Sequence, residues 1–194
     1  MGLVIFAAIG LYLLISIGVV KGAITYARRE GKSVKSWGWG AALVMYLIPF
    51  WDWIPTVAVH QYYCSTEAGF WVYKTPEQWK KENPGVMATL VATDIWRHQK
   101  VDGKDVDTIN ERMILVHAKQ DELFLHRWPD IRELVDMKTH EVLARYVGFS
   151  TSQERGGAGW SGWKFWLHST ECIGGRDKAI QFVKFVEQFR GEKK

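Results

Sequence analysis

Few side chains in this chain of 194 residues could do chemistry: two cysteines, six histidines and a single aspartate, Asp52, inside a long apolar run. Cys64 and Cys172 can pair as a disulfide if they reside in an oxidising compartment. The bridge would clip the end of the apolar region to the loop before the last helix. Closing a loop of about 100 residues contributes up to about 4.7 kcal/mol on the chain-entropy model. The alternative is two buried free thiols, which pack as small hydrophobes. His60 precedes Cys64 by one helical turn, a spacing with which the two could share a metal ion. Two ligands are a weak signal, neither HExxH nor CxxCH occurs, and no metal or other cofactor is expected. His117, His126 and His168 fall on expected strands and converge only if those strands are neighbours.

Asp52 is costly if it lies within hydrocarbon, by about 2.5–3.5 kcal/mol. It then serves a partner protein or an ion path. The plainer expectation is an interfacial carboxylate beside Trp51 and Trp53 among lipid headgroups. Gly18 and Gly22 form a small-xxx-small pair that lets helix backbones approach. Packing of the apolar helices on one another is its default role. The run 157–162 matches GxGxxG in letters only. No strand-loop-helix unit surrounds it, so it is read as a loop. Ser161 lacks the GxSxG context of a hydrolase nucleophile. Of eleven tryptophans, Trp160, Trp163 and Trp166 lie near this glycine loop and could form an exposed aromatic surface. Core packing is the competing role. No catalytic residue is assigned.

The elements that must carry these residues begin with two apolar stretches, Leu3 to Val20 and Trp37 to Val59. A bilayer core of about 30 Å needs roughly 20 helical residues. The first stretch suffices if Lys21 snorkels to the headgroups. A cleaved signal peptide would carry its positive charge ahead of the apolar run, whereas here the basic residues follow it. Myristoylation wants Ser or Thr where Phe6 stands. The second stretch spans if it runs from Gly40 to Val59, kinked at Pro49 and Pro55. Between the stretches Lys21, Arg28, Arg29, Lys32 and Lys35 face one acid, Glu30. Positive loops stay in the cytoplasm. Residues 21–36 are therefore expected there, with both termini and everything after residue 60 on the other side, the periplasm in a bacterium.

Residues 1–60 thus read as a transmembrane helical hairpin and 61–194 as a soluble α+β domain. Expected strands are 70–74, 111–119, 123–128, 131–136, 141–150 and 162–168. Helices are expected over 76–82, 84–92 and 176–190, and a loop or hairpin over 93–108. The architecture is an antiparallel sheet of about four strands covered by the C-terminal helix. The net charge of +4 is concentrated in the inter-helix loop and the tail, which argues against a nucleic-acid partner.

The run IPFWDWIPT, the segment Tyr63 to Thr75 and the run Lys164 to His168 resemble a group of uncharacterised small inner-membrane proteins of proteobacteria with a WDWIP-type segment. The resemblance implies an inner-membrane setting and attaches no activity. The expected function is a non-enzymatic accessory or scaffold protein whose outer domain contacts an envelope partner. Its partners are the bilayer, a membrane or envelope protein, and in principle a second copy of the chain. The alternatives are a tethered periplasmic enzyme or ligand-binding domain, or a phage or toxin exclusion protein.

Overall fold

The computed structural model describes residues 2–93, 97–101, 104–118, 123–153, 164–168, 172 and 174–191. The chain is α+β and divides into two units, Met1–Pro55 and Thr56–Lys194. The division falls ahead of the expected boundary at residue 60. Tyr63, Cys64 and Ala68, beyond that division, belong to a hydrophobic cluster with the sheet.

The first unit contains α1 (Gly2–Arg29), α2 (Val34–Phe50) and the start of α3 (Trp53–Thr66). Leu3–Arg29 is long and apolar enough to cross a membrane, and none of its most apolar window is buried. Ser33 caps α2 by accepting from the Ser36 N–H. At 17 residues, α2 alone reaches only about 26 Å. It passes the same test only together with α3, across a bend of 53°. The second apolar stretch is therefore two helices, which form a second crossing only if the bent pair is one broken span; the structure establishes one candidate crossing. The break lies at Trp51–Asp52, between two prolines. Pro49 removes a helical N–H donor inside α2, and Pro55 sits in the first turn of α3, where such a donor has no partner anyway. Within the unit α1 and α2 touch through the Tyr12 hydroxyl, which donates to the Met45 carbonyl. The Tyr26 and Trp37 rings also meet, 5.2 Å apart.

The second unit is built on a six-stranded antiparallel sheet: β1 (Gly69–Val72), β2 (Arg97–Val101), β3 (Lys104–Thr108), β4 (Met113–His117), β5 (Arg127–Asp136) and β6 (Glu141–Thr151), in the order β1-β6-β5-β4-β3-β2. The sheet has six strands where about four are expected. The expected strand at 70–74 pairs with β6 as β1, and residues 97–108 close as a hairpin, one of the two expectations there. The two strands expected over 123–128 and 131–136 are replaced by the single β5. Two helices complete the unit, α4 (Pro76–Glu82) and α5 (Gly175–Glu187). Thr75 and Gln78 form a capping box at the start of α4, with Pro76 in the first turn. The expected helix over 84–92 is only a 3₁₀ turn, Val86–Thr89. The expected strand over 162–168 is likewise a 3₁₀ turn, Phe165–Leu167, in its described part.

One face of the sheet packs against α4 and α5. Phe182, Phe185, Val186 and Phe189 of α5 and Trp79 of α4 meet Met113, Leu115, Leu134, Ala144 and Tyr146. These strand residues recur at every second position, the period of one sheet face. The opposite face of β5 and β6 presents Ile131, Val147 and Phe149, and α3 lays Tyr63 and Cys64 over them.

Candidate functional site

On that second face a covalent bond, a buried cation and a cavity come together. The Cys64–Cys172 disulfide spans 108 residues of sequence with a Cα–Cα distance of 5.3 Å. Sequence expectation and structure agree here: the bridge ties the last turns of α3 to the segment just ahead of α5. His60, one turn before Cys64, brings its Nε2 to 3.5 Å from the Cys64 Sγ. The ligand atoms of His60, Cys64 and Cys172 all lie within 4.8 Å of one another, the one such group among the described residues. A metal needs thiolates, and both sulfurs are committed to each other. In this oxidised form the trio is a clip with a histidine beside it.

Arg127, the first residue of β5, lies across the neighbouring rings. Its guanidinium carbon is 3.3 Å from the Tyr63 ring centroid and 5.4 Å from that of Phe149. It is only 7% exposed. Its Nε and Nη1 are buried and find no hydrogen-bond acceptor among the described residues. The rings supply cation–π attraction, but a ring face accepts no N–H bond as a carboxylate or phosphate would. Arg127 also acts electrostatically on His60, a second basic side chain rather than a counter-ion.

Arg127 also lines a cavity of about 400 Å³ whose other walls are Ala58, Val59, Tyr62, Tyr63 and Phe124. Its mouth is apolar, with Tyr62 and Phe124 largely exposed. A tight turn sets Phe124 and Arg127 in place: the Leu123 N–H donates to the Arg127 carbonyl at 2.8 Å. Within it Leu125 (φ 60°) and His126 (φ 55°) both adopt the left-handed conformation. For non-glycine residues that costs on the order of 1 kcal/mol or more each. The Ser152 N–H and the Trp128 indole hold the turn from the side, donating to the His126 and Ser152 carbonyls respectively.

The remaining histidines do not build a metal-type group among the described residues. His117 bonds Asp107 at 2.9 Å, His126 belongs to the turn, and His168 is exposed after the 3₁₀ turn. Asp52 is 2% exposed, so the chain itself encloses this carboxylate. A Cβ added at Gly18 or Gly22 meets nothing within 4 Å. That glycine face is not the one α1 turns to α2; the close approach is at Gly38, where a Cβ would lie 3.3 Å from Ile24. Trp160 and Trp163 lie outside the described residues. Trp166 is half-buried in its 3₁₀ turn.

The sheet's other face holds a polar network that is structural. Asp136 accepts from the Trp79 indole at 2.8 Å, from Arg112 Nε at 2.6 Å and from the Lys138 N–H at 2.9 Å. Burial pushes its carboxyl up, but these donors outweigh burial and hold it below the usual aspartate value.

Sequence reasoning missed Arg127 and its cavity. Arg127 is one of 25 basic residues with no distinguishing neighbour, and Ala58 and Phe124 are brought together only by tertiary packing. No protein-family model, curated protein or solved structure matches the chain.

Proposed function

We propose that this chain is a non-enzymatic accessory or scaffold protein of a bacterial inner membrane, with its sheet-bearing unit in the periplasm and in contact with an envelope protein. The disulfide carries this reading. A single crossing by α1 would leave the sheet unit on the side of the basic segment 28–35, the cytoplasm by the positive-inside rule. Disulfides do not persist there. A second crossing, by α2 together with the start of α3, reconciles the basic loop with the Cys64–Cys172 bond. The resemblance to proteobacterial membrane proteins points to the same setting.

The test is an impermeant maleimide applied to spheroplasts after reduction and unfolding. Labelling of Cys64 and Cys172 in intact spheroplasts is expected. Labelling that appears only after lysis overturns the assignment. A photo-crosslinker at exposed Trp71 should give a discrete adduct with an envelope protein in cells. A chain that forms no adduct from any exposed position of the sheet unit is not a scaffold.

A further inference from the structure

We infer that the Arg127 cavity binds an anionic phospholipid of the membrane: the phosphate accepts from the guanidinium, and an acyl chain lies along the apolar wall. The inference goes beyond the scaffold role and does not depend on which compartment holds the sheet unit.

Two independent observations meet in this site. The first is Arg127 itself: it lines the cavity, is more than nine-tenths buried, and carries two buried N–H groups, Nε and Nη1, that no acceptor satisfies among the described residues. Burying a cation without a counter-ion is costly. A planar fork of donors matches a phosphate better than any neutral group. The second is the rest of the lining. Ala58, Val59, Tyr62 and Phe124 offer hydrocarbon and ring surface, with Phe124 79% exposed at the mouth. Such a wall suits an apolar chain and gives a free inorganic ion nothing. At about 400 Å³ the cavity lies within the range of ligand sites, about 300–1,000 Å³. The left-handed pair Leu125–His126 fixes the turn carrying Phe124 and Arg127, and strain of this kind gathers at ligand clamps. The source follows from the order of the sequence: Ala58 and Val59 come eight and nine residues after Phe50, the end of the apolar helix α2.

The test uses the full chain in an uncharged detergent, with binding read by native mass spectrometry. The probes are dioctanoyl phosphatidylglycerol, dioctanoylglycerol (the same chains without phosphate), dodecanoate and inorganic phosphate. One phosphatidylglycerol per chain is expected, bound at least about tenfold more tightly than dioctanoylglycerol. Dodecanoate binding more tightly than phosphatidylglycerol would make the occupant a free fatty acid and overturn the assignment. Inorganic phosphate binding as well as the lipid would overturn the acyl-chain role. Arg127→Gln should abolish the preference for the phosphate-bearing lipid. Because that change also removes the contact with Tyr63, Ala58→Trp serves as the second variant. It fills the cavity from an exposed helix position and leaves the guanidinium in place. It should lower phosphatidylglycerol binding at least about tenfold without shifting the melting temperature. Undiminished binding in Ala58→Trp would sink the proposal.

Discussion

The indole N–H of Trp79 on α4 donates to the carboxylate of Asp136 at the end of β5, at 2.8 Å, with each side chain about 1% exposed. Arg112 completes the junction, bonding Asp136 through Nε and the Asn83 side chain through Nη2 at 2.9 Å. A short helix is thus pinned to the sheet by a charge-assisted network inside the core. Removing one member of such a network strands the others. Asp136→Ala should cost about 3 kcal/mol or more, read as a lower urea midpoint at pH 7 with an unchanged m-value.

The same carboxylate makes stability depend on pH. Its pKa is lower in the folded chain than in the unfolded one. The stabilisation is therefore complete above the ordinary aspartate range, about pH 4. It is lost as pH falls through the lowered value, because the unfolded chain then binds more protons. Melting curves from pH 6 down to pH 2 should show a steeper loss for the native chain than for Asp136→Asn. Equal slopes would mean that Asp136 does not carry the acid sensitivity.

Asn110 performs a comparable task with a neutral side chain. Its amide nitrogen donates to the Phe189 carbonyl at 2.7 Å, and its oxygen accepts from the Met113 N–H at 2.8 Å. The first bond holds the end of the α5 region to the turn before β4; the second shapes that turn. Asn110→Ala leaves buried backbone groups unpaired, at about 1–3 kcal/mol. Hydrogen exchange should show earlier opening around Phe189 than around β6.

The Cys64–Cys172 bond closes a loop of 108 residues. Double replacement by serine should lower the stability of the sheet unit by about 4–5 kcal/mol on the chain-entropy model. The native chain in strong reductant should match the variant. A variant as stable as the oxidised chain would show that packing of Tyr63, Phe149 and Ile131 alone fixes α3 on the sheet.

Locally encoded elements were legible in the sequence. Thr75-Pro76 announces α4 by its cap, and the alternation through Tyr146 and Val147 announces β6. Elements set by distant partners were not. Trp163, Phe165 and Leu167 alternate as in a strand, yet Leu167 donates its N–H to Lys164 and its carbonyl accepts from the Thr151 hydroxyl at 2.7 Å. Those bonds curl the segment into a 3₁₀ turn. Pro129 looks like a strand terminator, but β5 runs through it. There β5 pairs, among the described residues, only with β6, since its pairing with β4 covers Arg132 to Asp136, and such a position tolerates a missing N–H. Of the candidate site, the disulfide could be read from two cysteines in a domain expected to lie in an oxidising compartment. The Arg127 cavity could not, because nothing local marks a cation as buried.

Leu14 is 69% exposed in the middle of α1, so a charge there meets lipid if that helix spans. Leu14→Arg should cost about 2.5–3.5 kcal/mol of insertion and shift the chain towards the alkali-extractable fraction. Gly18→Leu adds bulk where a Cβ has nothing within 4 Å, whereas Gly38→Leu drives into Ile24 at 3.3 Å. A cysteine cross-link between positions 12 and 45, in a chain with Cys64 and Cys172 replaced by serine, should survive the Gly18 change and weaken with the Gly38 change. If Gly18→Leu also abolished it, the small-residue face of α1 would be in contact with α2 after all. The pairing seen through Tyr12 and Met45 would then not be the one present in the bilayer.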